Sequence, residues 1–265
     1  MHVWAVANQK GGVGKTTTAV TLAGHLVGRG LRTLLVDLDP HGSMSVYFGH
    51  DPDTIEQSVY ALFEMNRDEL ARLPPGIIRR TAHEGLDLLP AATALATLDR
   101  QLGSQEGKGL VLANALAGLD QQYDFVLLDC PPLLGILMVN ALAACENLLI
   151  PVQTEFLALK GLERMVRTLA MITRARKQPL PYTIVPTLFD RRTRASIESL
   201  RALREQHGEH VWRAVIPVDT RFREASRKGV PLSLWQPASR GARAYAELLD
   251  SLLGEDREPR LSLVK

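Results

Sequence analysis

The sequence predicts an α/β fold, a doubly wound and mostly parallel sheet flanked by helices. Three observations carry that prediction. Apolar runs of strand length recur along the chain, among them Val3–Ala7, Leu31–Val36 and Phe125–Leu128, and they read as buried strands. Segments of helix length separate them, which is the rhythm of a parallel sheet. Hydrophobic residues make up 46% of the chain but aromatics only 5%, which suits an interior of Leu, Val and Ala.

Taken in order, Val3–Ala7 is the first strand and residues 18–27 the first helix. Residues 31–37 form the second strand, residues 54–63 a helix, and residues 64–85 a polar, irregular stretch punctuated by Pro74-Pro75-Gly76. Leu86–Pro90 is a short strand. Residues 93–119 carry a helical pattern interrupted around Gly103–Gly109. Asp124–Asp129 is a third clear strand. A helix follows near 135–144, a strand near 147–152 and a long helix near 157–175. Tyr182–Pro186 reads as a strand, 194–206 as a helix, 211–216 as a strand, 221–227 as a short helix and 239–253 as the last helix. No linker divides the chain, so one domain over 1–253 is expected, with 254–265 as a flexible polar tail.

The formal net charge of +2 and pI of about 8.6 are mildly basic and do not by themselves imply nucleic acid. Cys130 and Cys145 lie in apolar segments and read as buried free thiols. No signal peptide is evident at the N-terminus. The most apolar region, Phe125–Val152, is broken by Asp129, Pro131, Pro132, Asn140 and Glu146, which argues against a spanning helix. A cytoplasmic protein without stable membrane insertion is expected.

One stretch organises the chemistry. Lys10-Gly11-Gly12-Val13-Gly14-Lys15-Thr16-Thr17 lies between a strand and a helix. Glycines let the backbone approach an anion, amide N–H groups converge on it, and the helix N-terminus adds partial positive charge. Lys15 can reach β- and γ-phosphates, and the Thr16 hydroxyl can ligate Mg²⁺. The usual loop has glycine where this chain has Gln9, and it lacks the additional lysine supplied by Lys10.

Ligands of open α/β sheets bind beyond the carboxyl ends of the strands. Asp129 follows four apolar residues, Phe125–Leu128, in the form of a carboxylate that holds Mg²⁺. Asp37-Leu38-Asp39-Pro40-His41-Gly42 ends another strand at the same edge. No N-K-x-D element for reading guanine occurs, so ATP is favoured over GTP.

The loop K-G-G-x-G-K-T is the deviant Walker A pattern. With Ala7-Asn8-Gln9 before it, the segment resembles the ParA/MinD family of P-loop ATPases, of SIMIBI type. The resemblance implies that Gly11, Gly12, Val13, Gly14, Lys15, Thr16 and Thr17 hold the nucleotide. It assigns Asp39 to the attacking water and Thr16, Asp37 and Asp129 to the Mg²⁺ shell. A free aspartate side chain titrates near about 4, so such a group positions water rather than stripping its proton, and slow, partner-stimulated hydrolysis is expected. The adenine pocket would include Pro217 and Asp219. Lys10 would cross a homodimer interface to the partner's nucleotide, so that ATP drives dimerisation and hydrolysis reverses it.

Later blocks, Pro186–Thr193, Ile216-Pro217, Glu224-Ala225 and Ser239–Ala242, are similar to short, Soj-like ParA proteins. Such proteins bind DNA through surface arginines, for which Arg192, Arg221 and Arg223 are the candidates. The Soj pattern, however, has arginine where this chain has Val218, and Asp-Pro-Gln becomes Asp39-Pro40-His41. The run Asp37–Asp51 resembles ParA-like proteins encoded with chemotaxis systems, the ParC subgroup.

The expected function is therefore an ATP-dependent switch that positions or segregates a large cargo, a chemotaxis array or a partition complex, with a polar or nucleoid-associated location. Two alternatives stand beside it. A MinD-like membrane-associated regulator needs a basic amphipathic C-terminal helix, where this chain has Glu255, Asp256, Glu258 and Pro259. A metabolic ATP-dependent ligase on the same loop, such as cobyrinic acid a,c-diamide synthase, needs a nucleophilic cysteine after Cys145, and none occurs.

Overall fold

The computed structural model describes residues 1–102, 107–176 and 179–254. Among these residues a seven-stranded sheet runs through the molecule. Its strands are β1 (His2–Val6), β2 (Thr33–Asp37), β3 (Arg79–Arg80), β4 (Leu86–Leu89), β5 (Phe125–Asp129), β6 (Asn147–Gln153) and β7 (Tyr182–Thr187). The spatial order is β3-β4-β2-β5-β1-β6-β7, parallel throughout except for the β3–β4 pair.

Side chains on each strand alternate between two cores. Val3 and Ala5 of β1, Leu34 and Val36 of β2, and Val126 and Leu128 of β5 face one side. Trp4 and Val6, Leu35, and Phe125 and Leu127 face the other. Both faces are apolar, as a sheet covered by helices on both sides requires.

The helices are α1 (Lys15–Gly28), α2 (Ser43–Tyr47), α3 (Val59–Glu64), α4 (Arg67–Leu70), α5 (Leu98–Leu102), α6 (Val111–Ala117), α7 (Ile136–Ala144), α8 (Phe156–Arg176), α9 (Arg194–His207), α10 (Arg221–Lys228), α11 (Leu232–Trp235) and α12 (Arg240–Leu252). Helix α1 packs with α12 on the second face, through Leu22, Leu26, Tyr245, Leu248 and Leu249. Helices α3, α6, α7 and α8 cover the first.

Gly24 in α1 marks a close contact with α11. A Cβ there would lie 2.3 Å from Ser233 Oγ and 2.6 Å from Pro231 Cβ. Helix propensity alone would reward Gly24→Ala by about 1 kcal/mol. Overpacking against α11 costs about 1–3 kcal/mol and should win. Gly24→Ala is expected to lower the thermal midpoint by several degrees, read by circular dichroism.

Three sequence expectations change, and two short helices are added. The strand expected at 211–216 is absent; only isolated parallel bridges Ile184–Val211 and Phe189–Pro217 remain. Pro186 in β7 and Pro217 both lack the N–H a ladder needs, so the edge is held by single bonds such as Ile216 N to Pro186 O at 2.8 Å. The helix expected at 54–63 starts only at Val59, where the Ser58 side chain accepts from Tyr60 N. The stretch 64–85 is not wholly irregular: Asn66 and Glu69 form a capping box that starts α4, and β3 pairs with β4. Helices α2 and α11 are single turns that periodicity does not reveal. Of the tail expected at 254–265 all but Gly254, and of the interruption expected around Gly103–Gly109 residues 103–106, lie outside the described residues; Lys108–Leu110 form a short 3₁₀ turn ahead of α6.

Candidate functional site

Strand β1 lies between β5 and β6, and the chain leaves it through α1 toward β2 on the far side of β5. This is the switch point of a doubly wound sheet, and the loop 8–14 fills it. Asn8 is fully buried and anchors the loop: its Nδ2 donates to Pro151 O at 2.8 Å and its Oδ1 accepts from Lys10 N at 3.1 Å. Gly12 and Gly14 take φ of 74° and 91°, values that a side chain would oppose. Gly14 is the N-cap of α1, and Thr18 N donates back to its carbonyl at 2.9 Å.

A cavity of about 700 Å³ opens over this loop. Gly11, Gly12, Gly14, Lys15, Thr16 and Thr17 make one wall; Asp39, His41, Ser43 and Pro132 make a second. The third comes from the far end of the chain, with Leu188, Pro217, Asp219, Phe222, Arg223 and Tyr245 among its residues. The volume is that of a site for a drug-sized or nucleotide-sized ligand.

Three strand-end carboxylates sit beside the loop. Asp129 is 1% exposed; its Oδ2 accepts from Thr16 Oγ1 at 2.5 Å. Its Oδ1 is the single buried side-chain polar atom without a hydrogen-bond partner among the described residues. Asp37 is fully buried, with Oδ1 accepting from Asp39 N at 3.2 Å and Oδ2 from Ser45 N and Oγ at 2.8 and 2.7 Å. Burial pushes both carboxyls above the ordinary carboxylate range. The neighbouring Asp37 charge raises Asp129 further, while the hydrogen bonds from Ser45 pull Asp37 back down.

The partnerless Oδ1 of Asp129, the Thr16 hydroxyl and the carboxylate of Asp37 beside them form a set of hard oxygen donors that fits Mg²⁺, and a bound cation would favour the ionised form of the pair. No cluster of three His, Cys, Asp or Glu side chains suited to a metal occurs among the described residues. Mg²⁺ at phosphate sites characteristically takes only one or two protein carboxylates, so the small donor set is in keeping with it.

The remaining candidates fall in distinct places. Lys15 is 8% exposed, and its Nζ donates to Lys10 O at 3.4 Å. The Val13 side chain is buried and its carbonyl accepts from Thr187 Oγ1 at 2.8 Å, so only its amide could meet a ligand. Asp219 borders the cavity, yet its carboxylate accepts from Arg221 N and Gly241 N at 3.1 Å each, fastening α10 and α12. Arg223 borders the same cavity. Arg192 is held by Asp190 at 2.7 Å, and Arg221 approaches Asp219 at 3.9 Å. Arg191, Arg192, Arg221 and Arg240 share a smaller cleft of about 440 Å³ next door.

Lys10 does not border the cavity. Its Nζ pairs with Glu155 at the start of α8, and its stem lies against Gly161, where a Cβ would come within 3.2 Å. Glu155 stands 145 residues away in sequence, and no spacing announces it. Sequence reasoning also misses Ser45, Asn8 and Leu188, whose φ of 52° is a left-handed conformation rare for leucine.

The chain as a whole is similar to several known proteins. The family model for an AAA domain matches residues 1–181. The sporulation initiation inhibitor protein Soj of Bacillus subtilis (strain 168) is 37% identical over 245 residues, 92% of this chain and 95% of that protein. The chromosome partitioning protein ParA of Myxococcus xanthus (strain DK1622) is 34% identical over 262 residues, 98% of this chain and 91% of that protein. Among solved structures, cobyrinic acid a,c-diamide synthase from Mycobacterium smegmatis with bound ADP and magnesium is 36% identical, with a TM-score of 0.80 over 96% of this chain and 94% of that one. The ATP complex of a substituted McdA from Cyanothece shares the fold at 20% identity, with a TM-score of 0.82 over 97% and 98% of the two chains.

Proposed function

The chain belongs to the ParA/MinD family of P-loop ATPases, and from that premise we propose that it is an ATP-dependent dimerising switch that hydrolyses ATP slowly and positions a large intracellular cargo. ATP or ADP with Mg²⁺ occupies the cavity over the loop. The amides of Gly11–Thr17 and the Lys15 ammonium neutralise the phosphates. Thr16 and Asp129, with Asp37 behind them, would hold Mg²⁺, which would supply neutralisation of phosphate charge. Asp39 orients water toward the γ-phosphate. Pro217 borders the base, and Asp219 keeps that wall in shape.

The observation that carries the switch is the placement of Lys10. A loop lysine that does not line its own cavity and is held by Glu155 would leave that ion pair to serve a nucleotide held by a second copy. Sedimentation tests this. With Mg·ATP, Asp39→Ala should run as a dimer and Lys10→Ala as a monomer; equal mass for both would refute the switch.

The relatives named for chromosome partitioning favour a partition complex as cargo, and the Asp37–Asp51 run keeps a chemotaxis array in play. Imaging of the tagged protein in its host separates them: nucleoid coating for the first, polar foci independent of the nucleoid for the second. Nonspecific DNA contact would fall to Arg192, Arg221 and Arg223, weakened by Val218 where arginine is expected. A partner protein would stimulate hydrolysis.

No helix among the described residues is long and apolar enough to cross a membrane. Cys130 and Cys145 are buried in the core at 0% and 1% exposure, so neither offers the thiol nucleophile that a glutamine-hydrolysing amidase needs.

A further inference from the structure

The turn Asp39–Gly42 has a fixed shape. Gly42 N donates to Asp39 O at 2.8 Å, which closes a four-residue turn with Pro40 at its second position. Proline there holds φ at about −65°. Gly42 takes φ of 61°, and a Cβ on it would lie 2.7 Å from Pro52 Cβ, so the turn is pinned from outside as well.

This geometry returns His41 over Asp39. His41 Nδ1 lies 2.9 Å from Asp39 Oδ1, and His41 N donates to the same oxygen at 3.1 Å. An ionised carboxylate only accepts, so Nδ1 carries the proton. The Asp39 side chain is 16% exposed and that of His41 82%, so the ring lies as a cover on the solvent side of the carboxylate. Asp39 Oδ2 has no hydrogen-bond partner among the described residues, and both residues border the nucleotide cavity.

We infer that His41 is a positioning residue for hydrolysis: two donors on Asp39 Oδ1 fix the rotation of the carboxylate and leave Oδ2 to orient the attacking water. The inference rests on the reading of Asp39 as the water-orienting group. Asparagine carries a side-chain donor the same number of bonds from Cα as Nδ1, whereas alanine keeps only the backbone donor.

Single-turnover hydrolysis of Mg·ATP by the full chain tests this, with ATP affinity from calorimetry. His41→Ala should turn over about three- to fivefold more slowly at unchanged ATP affinity, the size expected of a largely exposed charge-assisted contact. His41→Asn should recover most of the lost rate. In an Asp39→Asn background, His41→Ala should cost nothing more, because the carboxylate it positions is gone. A wild-type rate for His41→Ala, no recovery by His41→Asn, or a full additive loss in the double variant would overturn the inference. If Asp39→Asn itself hydrolyses at the wild-type rate, the reading of Asp39 fails and takes this inference with it. If Asp39→Asn is slow and His41→Ala is not, only the role of His41 fails.

Discussion

Lys15→Ala is expected to weaken Mg·ATP binding by roughly thirtyfold to several thousandfold, the about 2–5 kcal/mol that follows from removing one partner of a desolvated charge pair. The reason lies in what Lys15 lacks. An ammonium has three donors, and among the described residues this one makes a single long hydrogen bond, to Lys10 O at 3.4 Å, while only 8% exposed. It also sits in the first turn of α1, where the helix dipole is positive and a cation is unfavourable. Its attraction for Asp129 offsets part of that cost. A position so poor for a lone cation becomes favourable once a polyanion fills the cavity. The nucleotide-free Lys15→Ala protein should therefore melt within a few degrees of wild type. Calorimetry with Mg·ATP and a thermal melt without it read the two halves. Wild-type affinity would mean the loop does not grip a triphosphate, and a collapse of the nucleotide-free melt would mean Lys15 is structural.

The parts of the molecule legible in the sequence are those where cause and effect are adjacent in the chain. Strands β1, β2 and β5 are buried on both faces, so their residues form unbroken apolar runs, and an aspartate that closes β2 or β5 stands out at the sheet edge. The phosphate loop is legible for the same reason, because strand, glycines and helix follow one another without a gap. Features made by distant segments were not legible. Glu155 meets Lys10, Thr187 meets the Val13 carbonyl, and Tyr245 OH lies 2.7 Å from Thr18 Oγ1, each pair joined by the sheet rather than by spacing. Ser45, which supplies two of the three hydrogen bonds on Asp37, sits in a single helical turn too short to show a period. The edge beyond β7 misleads because Trp212 and Ile216 are buried like strand residues, while Pro186 and Pro217 deny the ladder its donors. Those prolines are visible in the sequence and should weigh more than the apolar pattern around them.

Asp129→Asn should produce opposite changes with and without ligand. In the nucleotide-free, chelator-treated protein, Asp129 and Asp37 are buried side by side, and Asp129 Oδ1 has no partner. Desolvation raises both carboxyls, and the Asp37 charge raises Asp129 further, so the folded state holds protons that the unfolded chain gives up. The folded state binds more protons between the ordinary carboxylate range and the raised folded values. Stability therefore falls as pH rises through that window and is lowest above it. The substitution removes one charge, keeps an acceptor for Thr16 and places an amide donor where the orphan oxygen was. Replacing a poorly compensated buried charge stabilises by about 1–3 kcal/mol, or several degrees in a chain of this size. The wild-type melting temperature should climb as pH is lowered from the alkaline side, and the Asp129→Asn profile should be higher and flatter. Adding Mg·ATP should reverse the ranking: the cation favours the ionised pair in wild type, whereas the variant has lost the oxygen that would face it and should gain far less. A variant that melts lower than wild type at alkaline pH without ligand would show that Asp129 serves the fold rather than the cation. Equal Mg·ATP stabilisation of both proteins would remove Asp129 from the metal site.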